Sequence, residues 1–164
     1  MKYPIRYVPF KLSKSNTIKQ ASLIKKSKKK YKLGNYYVRE KINSFKSKPS
    51  KHVRKAMKTY KINSILPSKK LSKATGCSLT TLKKIVRKGE GAYFSSGSRP
   101  SQTPQSWGIA RLASSLTGGK SAAVDFSLLR EGCNHKKRAY KFALKSVKKY
   151  KTGHSSTKHR KLKN

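Results

Sequence analysis

The chain has 164 residues, with 43 Lys and Arg against 4 Asp and Glu, for a net charge of +39. Its hydrophobic content of 34% is low beside the roughly 45–50% of ordinary globular domains, so it has material for one modest core. Four scattered carboxylates leave little acid–base or metal-ligating chemistry, which argues against an enzyme. A surplus of cations this large calls for an anionic partner.

The charge is unevenly spread. Residues 1–61 hold 20 bases and one acid, Glu40; residues 62–88 hold seven bases and no acid. Residues 89–134 hold four bases and three acids, and residues 135–164 hold 12 bases and no acid. The expected organisation is an extended basic arm over 1–50, a small α-helical core over 51–151 enclosing a near-neutral module at 89–134, and a basic tail over 152–164. Residues 1–10 lack the apolar stretch of a signal peptide, and no run reaches the roughly 20 apolar residues of a bilayer span.

In chain order, Tyr3, Ile5 and Tyr7 alternate with Pro4, Arg6 and Val8, which predicts an extended start barred by Pro4 and Pro9 from a central strand. Residues 16–30 have helical potential but contain the run Lys25–Lys30, which needs counter-charge. Residues 34–50 read as extended. Val53, Met57, Tyr60 and Ser64 share a helical face, with Ser50 as N-cap, predicting a helix near 52–65. Further helices are expected near 68–75, 79–88 (stopping at Gly89), 104–117 and 135–151. Thr103-Pro104 is a start signal for the third of these, and Ile109, Leu112, Ala113 and Leu116 are its buried stripe. Ala122 to Val124 reads as a short strand, with Asp125 capping the turn that follows. The fold class is thus mainly α.

Leu71-Ser-Lys-Ala-Thr-Gly-Cys-Ser-Leu-Thr-Thr-Leu-Lys-Lys-Ile85 resembles a helix-turn-helix. Gly76 suits the positive φ at the turn, Leu71, Cys77, Leu82 and Ile85 supply the packing, and Ser72 is the small residue at the crossing. Thr75 departs from the pattern at an apolar position. Ser78, Thr80, Thr81, Lys83 and Lys84 would project from the second helix toward a groove; a plain helical hairpin is the competing reading. Gly91, Gly97, Ser95, Ser96 and Ser98 with Arg99 read either as an anion nest or as a serine-satisfied glycine turn. Gly119-Lys120-Ser121 lacks the first glycine of a phosphate loop, whose place is taken by Ser114. Cys77, Cys133, His52 and His135 lack zinc-ligand spacing, so both cysteines read as buried thiols in a reducing compartment. No catalytic residue, metal or cofactor is expected.

Lysine-rich runs such as Lys25–Lys30, Lys136–Arg138, Lys148–Lys151 and Lys158–Lys163 suit charge neutralisation more than bidentate base reading. Candidate anionic contacts are Lys28, Lys29, Lys30, Thr80, Lys83, Lys84, Arg99 and Lys136. Candidate packing residues are Trp107, Ile109, Leu112, Leu116, Leu82 and Ile85.

The segment from Gly89-Glu-Gly-Ala-Tyr-Phe-Ser-Ser-Gly-Ser-Arg-Pro-Ser-Gln-Thr-Pro-Gln-Ser-Trp107 through Gly118-Gly-Lys-Ser-Ala-Ala-Val-Asp125 resembles an uncharacterised protein family of large icosahedral double-stranded DNA viruses (chlorella viruses and other giant viruses), with relatives in phages. The likeness begins near Ser44-Phe-Lys-Ser-Lys-Pro-Ser-Lys-His52 and continues to about Cys133. It implies a minor capsid protein in the virion, on the inner side of the capsid, bridging or cementing capsomers. Its partners would be the major capsid protein and other minor capsid proteins, with viral DNA or an anionic inner-membrane surface as further candidates. The alternative is a virion protein that binds or condenses DNA through residues 71–88.

Overall fold

A computed structural model describes residues 1–151 and 157–162. The chain is mainly helical, with eight helices and two short strands among the described residues. It divides into two compact units: residues 1–48, 90–107 and 156–164, and residues 49–89 and 108–155.

In the first unit, β1 (Lys2–Pro4) pairs antiparallel with β2 (His159–Lys161), Tyr3 opposite Arg160. Pro4 sits at the end of a two-stranded ribbon, where its missing N–H costs no ladder bond. Residues 1–50, expected as an extended arm, instead carry β1 and the 19-residue helix α1 (Lys14–Lys32). Ser13 caps α1 by accepting a hydrogen bond from the Asn16 N–H at 3.2 Å. The arm folds because its aromatic and aliphatic residues find a shared core. Tyr3, Tyr7, Val8, Leu12, Ala21, Leu23, Ile24 and Ile42 are buried together, with Trp107 and Phe45 packed against them. Residues 35–50 have no helix or strand, and the expected extended stretch is interrupted by a turn in which the Phe45 N–H donates to the Ile42 carbonyl at 2.8 Å.

The second unit is built on α2 (Lys51–Tyr60), α3 (Lys69–Thr75) and α4 (Leu79–Ser95), followed by α5 (Pro104–Leu116), α6 (Lys120–Val124), α7 (Phe126–Gly132) and α8 (Arg138–Tyr150). The division between units falls within α4 and α5. Ser50 and Ser68 cap α2 and α3 as N-caps. Leu71, Cys77, Leu82, Ile85, Leu112, Leu116 and Leu129 form the centre of the core, with Ala139 and Ala143 of α8 buried against it. Each fully buried Leu or Ile contributes roughly 1.5–3 kcal/mol by leaving water. Leu82, Ile85, Leu112 and Leu116 are therefore the packing residues expected, while Ile109 is partly buried at the margin. The Tyr60 hydroxyl donates to the Leu116 carbonyl at 2.5 Å, and burial pushes its pKa well above the ordinary tyrosine value.

Several boundaries differ from expectation. The first helix of this unit ends at Tyr60, not near 65, because Lys61 turns left-handed at φ 52°. The helix at 79 does not stop at Gly89 but continues to Ser95. Gly89 serves a crossing instead, since a Cβ there would lie 2.6 Å from the Gly108 Cα of α5. Residues 122–124 are helical (α6), not a strand; two alanines favour helix once a glycine start is available. Asp125 makes no side-chain cap, because its carboxylate is engaged elsewhere. The last helix begins at Arg138, after the turn 134–137. Of the expected basic tail, residues 152–156 and 163–164 lie outside the described residues, and 157–162 contain β2. Cys77 and Cys133, expected as separate thiols, are joined in a disulfide. No helix among the described residues is long and apolar enough to cross a membrane.

Candidate nucleic-acid interface

In the second unit α3 and α4 flank a turn at Gly76 over residues 71–85, an arrangement common to the helix-turn-helix and the plain helical-hairpin readings. Helix α3 ends at Gly76, whose φ of 74° lies in the left-handed region that favours glycine. Ser72 donates its hydroxyl to the Cys77 carbonyl at 2.6 Å, pinning the turn. Thr75, the residue that departs from the pattern, is fully buried but satisfied: its hydroxyl donates to the Leu71 carbonyl at 2.8 Å and accepts from the Cys77 N–H. Ser78 then caps α4, accepting from the Thr81 N–H at 3.2 Å. Thr81 itself is buried and does not project.

The turn is tied to the α7–α8 connection. The Ser78 N–H donates to the Gly132 carbonyl and the Asn134 N–H to the Gly76 carbonyl, both at 2.7 Å. The Cys77–Cys133 disulfide lies between these two bonds. A Cβ on Gly76 would meet the Lys137 side chain at 2.5 Å, so the basic run beginning at Lys136 lies beside the turn.

With Leu71, Cys77, Leu82 and Ile85 inward, the opposite face of α4 presents Thr80, Lys83, Lys84 and Arg87, all exposed. These positions follow i, i+3, i+4, i+7 and so share one side of the helix. Arg87 joins the sequence candidates on that side, as its spacing of seven from Thr80 requires. Lys69, Lys70 and Lys73 of α3 and Lys136 are also exposed. Three bases and a hydroxyl on one helical face can engage phosphates and base edges.

Beside this face, Asp125 is completely buried and accepts a bidentate pair from Arg111, Nε at 2.9 Å and Nη2 at 2.7 Å. Ser115 donates to it at 3.0 Å, and the half-exposed Lys88 ammonium is 3.2 Å away. The carboxylate thus holds α4, α5 and the start of α7 in register.

In the first unit, Lys28, Lys29, Lys30 and Arg99 are exposed. Of the two readings of residues 91–99, the anion nest is the less compatible with the side-chain contacts. Residues 91 and 95 are inside α4, and Ser98 is buried, its hydroxyl accepting from Arg39 Nη2 at 2.7 Å. Arg39 is itself buried, donating Nη1 to Ser27 Oγ and the Tyr93 carbonyl and stacking 3.7 Å from the Tyr93 ring centre. Burial pulls its pKa below the usual guanidinium range, partly offset by Tyr93 and Tyr7. Trp107 is partly buried and packs edge-on against Tyr7 at 5.9 Å, at the margin of this core. Ser114, at the missing first glycine of a phosphate loop, lies within α5. Among the described residues no three His, Cys, Asp or Glu side chains are grouped to hold a metal.

The chain is a small, strongly basic, mainly helical protein. The chain belongs to a family described as a family of unknown function (DUF5824), which matches residues 4–130. No curated protein and no solved structure is significantly similar to it.

Proposed function

We propose that the chain binds double-stranded nucleic acid, presenting the outer face of α4 to the duplex. The observation that supports this most directly is the alignment of exposed Thr80, Lys83, Lys84 and Arg87 behind a glycine turn whose inner residues are all buried. The lysines act as point charges on phosphates, and Arg87 has the planar fork suited to a guanine edge. Lys136 and the bases of α3 flank the same turn and extend the phosphate contacts. The role is binding, with no chemical step.

The test is duplex binding by fluorescence anisotropy across a salt series, with the wild-type chain and a Lys83→Gln/Lys84→Gln/Arg87→Gln variant. Each lost phosphate contact lowers the slope of log K against log salt by about 0.9, so loss of the two lysines should lower it by about 1.8 in the triple variant. Wild-type affinity and slope in that variant would remove the proposal.

A second reading is a minor structural protein on the inner side of a large DNA virus capsid. It is supported by the sequence resemblance and by exposed lysines on α1, α2, α3 and α8 as well, more positive surface than one duplex face engages. Contacts with the major capsid protein, other minor capsid proteins, viral DNA or an anionic inner-membrane surface would then run through folded units. This reading expects polyanion binding that does not respond to the three α4 substitutions.

A further inference from the structure

The first unit carries an aromatic cluster that the α4 surface does not use. At the end of α1, Tyr31 meets Tyr36 edge-on with ring centres 5.9 Å apart. Tyr31 lies parallel to Phe94 at 6.3 Å, and Tyr36 meets Phe94 edge-on at 5.1 Å. Phe94 is buried and backed by Tyr93, so it anchors the other two. Tyr36 is 73% exposed and Tyr31 36% exposed. Lys28, Lys29, Lys30 and Lys32, all exposed, occupy the same end of α1.

We propose that Tyr36 and Tyr31 form a stacking platform for the bases of an unpaired nucleic-acid strand, with the α1 lysines holding its phosphates. An exposed Tyr36 ring beside the partly exposed Tyr31, next to dense positive charge, matches a ligand that is itself flat, apolar on its faces and anionic along its backbone. A duplex hides its base faces, so the strand is single. The rings are already ordered against Phe94, so little freedom is lost on binding. An anionic lipid surface would engage the same lysines and the exposed Leu33. The pre-packed three-ring cluster favours stacking over insertion.

The test uses the full chain and three probes. These are a labelled thymidine oligonucleotide, an abasic oligomer of equal length and phosphate count, and vesicles of phosphatidylserine and phosphatidylcholine. The thymidine strand should bind more tightly than the abasic one by about fivefold to a hundredfold, the worth of a stacked base. Tyr36→Ala should abolish that difference and Tyr36→Phe should keep it, while Lys28→Gln weakens both strands alike. Equal binding of the two strands by the wild type would overturn the platform. So would a base preference that survives Tyr36→Ala, or vesicle binding that is lost in Tyr36→Ala while oligonucleotide binding is not. The α4 triple variant should retain the preference for bases, so this inference and the duplex reading fail separately.

Discussion

Replacing Asp125 by Asn keeps its shape and removes its charge. The buried carboxylate accepts two bonds from Arg111 and one from Ser115. An amide nitrogen in place of one oxygen would face a donor, and the Arg111 guanidinium would keep its charge with no bidentate partner. Breaking a buried pair from one side costs about 3–5 kcal/mol. Arg111 keeps 19% of its side chain exposed, so water recovers part of this and the expected loss is about 3 kcal/mol. Lys88 is 47% exposed, and its share is screened to under about 1 kcal/mol. In urea denaturation followed by far-UV circular dichroism, Asp125→Asn should lower the midpoint by roughly 1–3 M with the slope unchanged. Lys88→Gln should move it little. Pairing Asp125→Leu with Arg111→Met should recover much of the loss, because an apolar pair leaves no stranded charge. A midpoint for Asp125→Asn equivalent to within about 1 kcal/mol of wild type would refute this account of the hub.

Gly89 and Gly91 lie two residues apart in α4 and should respond in opposite directions to alanine. Gly89→Ala drives a methyl into the Gly108 backbone and should destabilise by about 1–3 kcal/mol, whereas Gly91→Ala has its nearest neighbour, the Tyr31 hydroxyl, at 3.8 Å and should stabilise by about 0.5–1 kcal/mol. Thermal melts of the two variants check both signs. The Cys77–Cys133 bridge spans 56 residues, and closing a loop of that size is worth about 4 kcal/mol; a reducing agent should lower the urea midpoint of the wild type and leave a Cys77→Ser/Cys133→Ser variant unmoved. Tyr60 has a raised pKa, chiefly from burial, so the unfolded chain ionises it first as pH rises. Its contribution is complete below about pH 10 and is lost progressively above it. Tyr60→Phe should therefore lose stability less steeply than wild type between about pH 10 and 12, although it is weaker at neutral pH by the lost bond to Leu116, about 0.5–1.5 kcal/mol.

The second unit was largely legible because its signals are local. Gly76 marks its turn by backbone freedom, Ser50 marks a helix start, and Leu112 to Leu116 repeat at helical spacing. The first unit was not. The buried face of α1 includes Thr17, Gln20 and Ser27, whose polarity hides the helix's inward side. Gln20 is accommodated only because its amide donates to the carbonyls of Tyr7 and Ser98, and Ser98 lies far along the chain. The ribbon of β1 and β2 joins the two ends of the sequence, a pairing that no local pattern announces. The platform of Tyr31, Tyr36 and Phe94 likewise needs a distant part of α4. The spacing of Cys77 and Cys133 carries no signal of a bond; it appears once the turn of α3–α4 is laid against residues 132–134.

Charge and fold pull against each other in this chain, and salt separates them. Of its four acids, Asp125 is committed to the core and Glu40 pairs with Lys19 at the surface, so four acids cannot balance the 43 bases. Raising ionic strength shortens the Debye length from about 10 Å at 0.1 M to about 3 Å at 1 M, which relieves repulsion between exposed lysines and should raise the melting temperature. The same salt weakens polyanion binding, because counterions released into a more concentrated solution gain less entropy. A polyanion at low salt should stabilise the fold by mass action, and that stabilisation should fade as salt rises while the intrinsic stability increases. Melting temperatures measured with and without duplex across one salt series should therefore converge. Curves that stay parallel would mean that the ligand is held by something other than the lysine surface.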